Sequence, residues 1–452
     1  MAAKSAARKT LKRGAVERLR KRGVRTVHVA IPDLDGSLRE RRLALDDVET
    51  AFGPGGTFVN VIHKWDTGEN VIGEPPFVGE ATALDWASVR DYPFETDAAF
   101  VFADYSGPSA MLSPRELLKT QIERAKAMGF SVQAALEFEF HVLDDGAEGL
   151  RANGFEGIDM YASDNRCWAS QSAAIYSEYV AELDATLQHA GVGLFGLGLE
   201  LGPGCFEATL RATDPLRAAD DAVLFKTFTK AFSRRRGLTA TFMAQLAANV
   251  AGLSGHVHIS LADAKSGKPL FHDGRDKDGM SKTMRHAVAG LVELAPEALA
   301  LCAHTVNAYR RLTPGNWAPK TATWAVQNYA AAVRAVPAPA KQARMEFRLP
   351  ASDTNPYLAI ALTLGAALHG IENKPALPAP IIRGGPDETP EGVPGLPHDL
   401  LEAADRLDAC KLARAMFGDT FIAHFVATRR HEEAVVRKHV SAFERARYIE
   451  AV

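Results

Sequence analysis

Residues 132–140 read VQAALEFEF, and this stretch decides the fold of the chain. Its apolar and aromatic residues predict a buried β-strand, in which side chains at positions i and i+2 point to the same face, roughly 6 to 7 Å apart. Glu137 and Glu139 therefore stand together among apolar neighbours. Two like charges in such a place need a cation between them, or they must protonate.

Two further strand-like stretches place charged or metal-binding side chains at the same spacing. Residues 255–260 (GHVHIS) carry two imidazoles, and residues 344–348 (RMEFR) set one carboxylate between two guanidiniums. Planar guanidinium groups suit phosphate or carboxylate oxygens. The three stretches together predict one groove that handles metal, phosphate and carboxylate. The imidazoles of residues 255–260 are His256 and His258, and the charged side chains of residues 344–348 are Arg344, Glu346 and Arg348.

The composition excludes several classes of function. A chain of 452 residues permits one large catalytic domain with a smaller partner, or about three average domains. The formal net charge is −3, so nothing in the overall balance calls for nucleic acid or an anionic membrane as a partner. The cysteines lie far apart and form no C-x-x-C pair, which argues against disulfides and favours a reducing cytoplasm.

No segment is expected to span a membrane. The longest helix-like apolar run, residues 358–368, is shorter than the roughly 20 residues that a bilayer requires. The basic beginning, residues 4–25, lacks the apolar stretch of a secretory signal. An organellar transit peptide and a solvated amphipathic helix, with Leu11, Ala15, Leu19 and Val16 on one side, are the two alternatives there.

The pattern along the chain predicts an α+β fold in two domains. Short β-branched runs broken by turns fill residues 24–102, and a helix start with Ser113 as N-cap and Pro114 in the first turn follows. We place residues 1–110, with a basic helical start over 1–23, in an N-terminal domain and residues 111–452 in a catalytic domain. Residues 375–397 hold many prolines and predict an irregular loop before a helical C-terminus from about His398.

A further pair of carboxylates, Glu200 and Glu207, flanks the turn LGPGCF. Such a turn would let adjacent strands return both side chains to the same groove. With the residues above, the chain offers five carboxylates and one imidazole, which favour Mg²⁺ or Mn²⁺ over zinc. Taken singly, each glutamate is more simply a solvated or salt-bridged residue, and His258 a core histidine. The occurrence of several such pairs in one chain favours a metal-binding site.

Five ordered motifs resemble the glutamine synthetase superfamily, in its type I-like branch, over about residues 24–452. They are LEFEF (136–140), ELGPG with Glu207 (200–207), GHVHIS (255–260), NAYRRLTPG (307–315), and RMEFR with NPYL (344–358). The resemblance implies an N-terminal β-grasp domain, and a catalytic domain whose antiparallel sheet is flanked by helices. It also implies a homo-oligomer, a dodecamer of two stacked rings, with active sites between neighbouring subunits.

The resemblance also implies roles for individual residues. Glu139, Glu200 and Glu207 would hold a first divalent metal, and Glu137, His256 and Glu346 a second, with two or three Mg²⁺ or Mn²⁺ ions per site. The nucleotide ATP would be bound by His258, Ser260, Lys341 and Arg344. Arg311 and Gly252 would bind glutamate, and Arg348 the acidic substrate. Arg334 and Arg344 would face the transferred phosphate, and Asp66 would reach the amine pocket of the adjacent subunit.

The chain departs from the family at the flap after residues 314–315. Trp317 stands where the family has a glutamate that helps take a proton from ammonium, and an indole cannot accept a proton. One interpretation is an apolar or cation–π wall for an alkylamine, and the alternative is that Trp317 packs the flap. Tyr329, Ala251 and Gln245 replace an arginine, an asparagine and a lysine of the family.

The resemblance implies an ATP-dependent ligase that activates the γ-carboxylate of glutamate as γ-glutamyl phosphate and joins it to an amine. Trp317 favours a small alkylamine or a polyamine over ammonia. Two alternatives stay open: a glutamine synthetase that uses ammonia, and a non-catalytic ring-forming protein that binds or regulates. Residues 373–396 show no counterpart of the family's adenylylation loop, and removal of Glu346 is expected to abolish turnover. The sequence leaves open the amine, the preferred metal and the ring size.

Overall fold

The computed structural model describes residues 14–313, 315–381, 384–385 and 393–452. Its first sheet has five strands in the order β2-β1-β5-β4-β3. Strands β1 and β5 pair in parallel and the other neighbours are antiparallel, so the predicted mixed sheet is confirmed. The strand bounds are β1 Thr26–Pro32, β2 Leu38–Ala44, β3 Thr57–Val59, β4 Gly79–Asp91 and β5 Ala98–Tyr105.

Both faces of the first sheet are covered at its centre. Phe100 and Phe102 of β5 pack into the large core of the second sheet, whereas Val101 packs into a smaller core on the opposite face. This explains why β1 and β5 are buried along their whole length and are apolar at most positions on both faces. The edge strand β2, with the sequence LRERRLA, carries charges that discourage pairing with another chain.

The second sheet has eight strands in the order β11-β12-β13-β10-β6-β8-β7, with β9 paired to β6. All its pairs are antiparallel except β11 with β12, so the predicted antiparallel sheet is confirmed apart from this edge. The bounds are β6 Phe130–Leu143, β7 Leu194–Leu199, β8 Cys205–Leu210, β9 Thr239–Thr241, β10 Gly255–Asp263, β11 Trp324–Val326, β12 Val333–Val336 and β13 Arg344–Phe347.

Helices surround the second sheet, and the predicted α+β class is confirmed. Ser113 caps the helix Pro114–Ala127 by accepting a hydrogen bond from the backbone N–H of Glu116, as predicted. The helical stretch over residues 170–189 is interrupted at Tyr176. The remaining helices are Val48–Phe52, Ala147–Ala152, Ser170–Ile175, Ser177–His189, Pro215–Arg234, Lys282–Ala298, Val306–Arg311, Pro356–Asn373, Leu400–Ala409, Lys411–Phe417, Asp419–Arg437 and Ala442–Tyr448.

The ends of the chain follow the predicted pattern where they are described. Residues 14–21 are helical, with Ala15 and Leu19 buried, and Leu11 lies outside the described residues. The C-terminal helices begin at Leu400 with Asp399 as N-cap. The described part of residues 375–397 contains no helix, and residues 382–383 and 386–392 lie outside the described part. Among the described helices, none is long and apolar enough to cross a membrane.

A buried arginine connects the two sheets. Arg115 is fully buried and donates to Asp104 of β5, to Asp85 of β4 and to Asp220 of the helix Pro215–Arg234. A charged group removed from water in this way requires such partners, because loss of one would leave a buried charge uncompensated. The network ties the first sheet to the helices Pro114–Ala127 and Pro215–Arg234, which pack against β6 of the second sheet. The domain boundary near residue 110 stays a prediction.

Candidate active site

Strand register brings the candidate ligands onto one face of the second sheet. Glu139 of β6 lies opposite Glu207 of β8, and Glu137 lies opposite His256 of β10. Glu346 of β13 lies opposite His258 of β10 on one side and opposite Arg334 of β12 on the other. The alternate residues of β6, Phe138 and Phe140, point to the opposite face and are buried in the core.

Three of the predicted ligands form a compact group. The Nδ1 atom of His256 lies 3.2 Å from Oε1 of Glu137 and 3.4 Å from Oε1 of Glu346. One ligand atom from each of the three residues lies within 4.8 Å of the others. Burial opposes the charge of Glu137, yet hydrogen bonds from His256 and His258 hold its pKa well below the usual range. The carboxylate of Glu137 is therefore ionised at neutral pH.

A contact with Arg344 fixes the tautomer of His258. The Nε atom of Arg344 donates to Nδ1 of His258 over 3.3 Å, and a guanidinium has no acceptor. A neutral His258 therefore carries its proton on Nε2, which lies 3.7 Å from Oε2 of Glu137. Thr209 of β8 donates to the same oxygen over 3.1 Å. The predicted pair of His258 and Arg344 is thus adjacent to the carboxylate group.

Two arginines converge on Glu346. Arg334 donates to Oε2, and Nη1 of Arg348 donates to Oε1 over 2.5 Å. Burial raises the pKa of Glu346, but the nearby imidazoles and guanidiniums outweigh it and lower the pKa to about 2. The ring of Tyr329 lies 4.0 Å from the guanidinium of Arg334, and Arg348 donates to the Tyr329 carbonyl. Positive charge is therefore concentrated beside the imidazole pair.

A second acidic group lies on the other side of Glu137. Burial and the charges of Glu137, Glu139 and Glu200 raise the pKa of Glu207 to about 9. Burial also raises the pKa of Glu139, whose Oε2 accepts a 2.6 Å hydrogen bond from the backbone N–H of Ser254. Like charges concentrated at this position bind a proton or a cation. Carboxylate oxygens are the ligands that hard divalent ions prefer, so the donor set fits Mg²⁺ or Mn²⁺.

Arg311 lies at the base of the groove. Its guanidinium is buried and donates to the carbonyl of Leu349 and to Oγ of Ser254, each over 2.9 Å. Burial lowers the pKa of Arg311 to about 10, which leaves it charged at neutral pH. Gly252 packs against it, since a Cβ at this position would come within 2.8 Å of Cγ of Arg311 and of Oε1 of Gln245. The position therefore requires glycine.

A cavity of about 1030 Å³ opens beside this base. Its wall is formed by the turn after Glu200, by the loop 245–251 and by residues 305–316. Apolar side chains, among them Met243, Val250 and Val436, alternate with amides. Asn316 closes one side by donating to Oε1 of Gln245 over 3.1 Å. Glu432, of the helix Asp419–Arg437, supplies a carboxylate to the same wall.

The roles of four further residues stay predictions. Asp66 accepts from the backbone and side chain of Asn70 and lies 3.4 Å from Nε2 of His431, away from the carboxylate groups of its own chain. Trp317 is 60% exposed, and both of its interpretations stay predictions. Lys341 is exposed on a 3-10 turn, and Ser260 lies on β10 two residues beyond His258.

The sequence analysis missed Cys167 and Trp168, which both donate to the carboxylate of Glu200. It also missed Thr209 and Ser254, which donate to Glu137 and Glu139. Thr209 lies two residues beyond Glu207 in the strand, so its spacing was the signal that could have found it. The other three follow from tertiary packing.

Comparison with known proteins identifies the family. The family model of the glutamine synthetase catalytic domain matches residues 111–448. The chain belongs to the glutamine synthetase family. It is 34% identical over 438 residues to type-1 glutamine synthetase 2 of Dictyostelium discoideum, covering 94% of this chain and 84% of the relative. It is 31% identical over 445 residues to glutamate–isopropylamine ligase of a Pseudomonas species, covering 96% and 97%.

A solved structure shares the whole architecture. The GmaS/ADP complex superposes with a TM-score of 0.84 at 25% identity, covering 96% of this chain and 99% of that chain. Membership of the glutamine synthetase family, together with the named relatives, confirms the predicted enzyme class, an ATP-dependent carboxylate–amine ligase. They leave the amine undetermined, because the matched relatives are named for different nucleophiles.

Proposed function

We propose that this ligase activates the γ-carboxylate of glutamate with ATP and joins it to an organic amine that carries a second positive charge. The observation that carries the proposal is the row of carboxylates, imidazoles and guanidiniums on one face of β12, β13, β10, β6 and β8. Divalent ions held by Glu139, Glu200 and Glu207 and by Glu137, His256 and Glu346 would neutralise phosphate charge. ATP is the co-substrate.

The chain's own residues account for both half-reactions. In the first, an oxygen of the γ-carboxylate attacks the γ-phosphorus of ATP and the bond to ADP breaks. Arg334 and Arg344, beside Glu346 and His258, stabilise charge that develops on the transferred group. In the second, the amine nitrogen attacks the acyl carbon, the bond to phosphate breaks, and the proton lost by the nitrogen passes to the leaving phosphate. Arg311, buried at the base of the groove, would hold the glutamate.

The cavity supports an organic amine rather than ammonia. Its volume of about 1030 Å³ leaves room for an organic amine beside the glutamate that Arg311 and Gly252 would hold. Apolar residues such as Leu201, Met243 and Val250 line it, and these suit methylene groups better than an ammonium ion. The sequence identity to an isopropylamine ligase agrees with this choice.

Glu432 supports a second ammonium group on the amine. Its half-buried carboxylate lines the cavity, and among the described residues its side chain has neither a hydrogen bond nor an ion pair. Burial and the charges of Asp35 and Asp66 raise the pKa of Glu432 and outweigh the opposing charges of Arg429 and His431, so a further cation at this position would favour the ionised carboxylate. A diamine or polyamine supplies that cation at the end of an apolar stem.

The decisive experiment is phosphate release from ATP with Mg²⁺ or Mn²⁺, glutamate and a panel of nucleophiles: ammonium, ethylamine, putrescine and spermidine. We expect release that depends on both glutamate and an amine, fastest with the diamine or polyamine. Strong activity with ammonium alone assigns a glutamine synthetase and refutes the amine proposal. Nucleotide binding without release under any condition assigns a non-catalytic homologue and refutes the ligase proposal.

Glu137→Gln is the cleaner inactive control. Glu346 is buried between Arg334 and Arg348, so its removal leaves uncompensated charges and threatens the fold by about 3–5 kcal/mol. Glu137 is partly accessible and is bonded to imidazoles and a hydroxyl. Its loss should abolish phosphate release while the melting temperature stays near that of the wild type.

We further propose that the chain associates with copies of itself in stacked rings. Exposed apolar side chains at the C-terminus, Val440, Phe443 and Ile449 among them, support a contact that buries them. Asp66, which lies away from the carboxylates of its own chain, supports a contribution to a neighbour's site. Light scattering on the purified chain tests this, and a monomer that is active at assay concentration would refute it.

A further inference from the structure

Consecutive residues hold both carboxylate oxygens of Glu200. Nε1 of Trp168 donates to Oε2 over 2.6 Å, and Sγ of Cys167 donates to Oε1 over 3.4 Å. Asn165 secures the same segment, because its Nδ2 donates to the carbonyls of Glu200 and Gly202 over 2.6 and 2.8 Å. The segment 165–168 is therefore attached to the turn that carries Glu200 by backbone and side-chain bonds together.

The conformation of Trp168 is unusual for its residue type. Its φ of +54° lies in the left-handed region, which costs a bulky residue of order 1–3 kcal/mol. Its side chain is 78% exposed, so burial of the ring does not offset this cost. The short hydrogen bond to a carboxylate is the contact in the described structure that selects this arrangement.

We propose that Trp168 is a positioning residue for the divalent metal held by Glu139, Glu200 and Glu207. An indole N–H donates and cannot bind a cation, whereas an ionised carboxylate accepts at about four sites. The bond to Oε2 therefore orients Glu200 and leaves lone pairs free for an ion. Partners of this kind typically contribute 10- to 100-fold in metal affinity.

This inference depends on the metal role given to Glu200 in the proposed function, but it does not depend on which amine reacts. It also gives Trp168 a spectroscopic signature. The indole is bonded directly to a carboxylate of the site, so a paramagnetic ion such as Mn²⁺ bound by Glu200 lies within a few bond lengths of the ring and quenches its fluorescence. A purely structural tryptophan elsewhere in the fold would not respond.

The test is a Mn²⁺ titration of the full chain without nucleotide, followed by tryptophan fluorescence and by electron paramagnetic resonance of free Mn²⁺. We compare the wild type with Trp168→Phe, which keeps an aromatic ring but removes the indole N–H together with its fluorescence, so the two affinities are compared by electron paramagnetic resonance. The expected result is quenching in the wild type, loss of most of that quenching in the variant, and a 10- to 100-fold weaker affinity. Equal affinity in the two proteins overturns the proposal.

Phe155→Leu is the matched control, because Phe155 is also an exposed aromatic residue with positive φ, at +62° and 64% exposure. Its substitution should leave the Mn²⁺ affinity unchanged, and an equal loss in this control would overturn the proposal. Melting temperatures in EDTA check that both variants fold. If Mn²⁺ binding behaves as expected but no glutamate-dependent phosphate release occurs, the proposed function fails and the role of Trp168 stands.

Discussion

Glu139 and Glu207 lie directly opposite each other on the paired strands β6 and β8. Like charges in this relationship destabilise a sheet. The arrangement persists here beside Glu200, and the pKa values of Glu139 and Glu207 are both raised, mainly by burial. A protein that keeps carboxylates in such a place gains by binding a cation, which converts repulsion into attraction.

Substitution of Glu207 by glutamine is therefore expected to separate stability from metal binding. Glutamine resembles the protonated carboxyl that the raised pKa of Glu207 favours when no metal is bound, so the melting temperature of the variant in EDTA should equal or exceed that of the wild type. In the wild type, Mn²⁺ at 100 times its dissociation constant should stabilise the fold by about 2.7 kcal/mol. The variant should lose this stabilisation, and thermal unfolding with EDTA or Mn²⁺ measures both effects.

The matched control is Glu178→Gln, on the exposed surface of the helix Ser177–His189. It changes the net charge by the same amount without touching the groove, so its response to Mn²⁺ should match that of the wild type. Retention of the full Mn²⁺ response by Glu207→Gln would contradict the assignment of this carboxylate as a ligand.

Gly252→Ala should weaken glutamate binding while nucleotide binding persists. The added methyl group would come within 2.8 Å of Cγ of Arg311 and must displace that side chain. Overpacking of this kind costs about 1–3 kcal/mol, which corresponds to about 5- to 150-fold in the KM for glutamate. Gly196→Ala is the control, since a Cβ there meets open space. Unchanged glutamate kinetics in Gly252→Ala would argue against Arg311 as the substrate arginine.

Glu432→Gln should change the choice of amine. If the carboxylate binds a distal ammonium, its loss removes a charge-assisted hydrogen bond of about 1.5–3 kcal/mol. The value of kcat/KM for putrescine should therefore fall by about 10- to 150-fold, whereas that for ethylamine should change little. The ratio of the two values, measured by phosphate release, isolates the effect from any general loss of activity. A constant ratio would refute the proposal that the amine carries a second positive charge.

The strand register explains why so much of the site could be predicted from sequence. A spacing of two within the stretches around Glu137, His256 and Glu346 fixes which face each side chain occupies, whatever the rest of the chain does. The N-cap at Ser113 was predictable for a similar local reason. Antiparallel pairing of β6, β10 and β13 then brings these faces together.

The unpredicted features depend on distant packing. Trp168 reaches Glu200 from a left-handed backbone conformation of its own. Nothing in the local sequence indicates this conformation, because the residue is not glycine. Glu432 enters the cavity wall from a helix far along the chain, and its spacing to Glu207 carries no information about the contact. Likewise, the spacing in the sequence predicted that Arg348 lies beside Glu346. It did not predict that Arg334 and Arg348 both donate hydrogen bonds to Glu346.

A buried carboxyl group outside the groove predicts a pH dependence of stability. Asp33 accepts from the backbone N–H of Ser37 and from Nε of Arg39, each over 2.8 Å. Burial and the charge of Asp35 nevertheless raise its pKa from 3.8 to about 6. The folded state therefore binds a proton that the unfolded state releases, and the stability that this provides is lost as the pH rises from about 4 to 6.

Asp33→Asn isolates this contribution, because an amide oxygen still accepts from Ser37 and the side chain no longer titrates. The stability of the wild type relative to this variant should fall with rising pH, by at most about 3 kcal/mol for a pKa shift of about two units. Chemical denaturation of both proteins at pH 4.5 and pH 7 measures the difference, in which the titration of other groups cancels. An opposite slope for Asp33→Asn would mean that the ion pair with Arg39 outweighs burial and that Asp33 is ionised throughout this range.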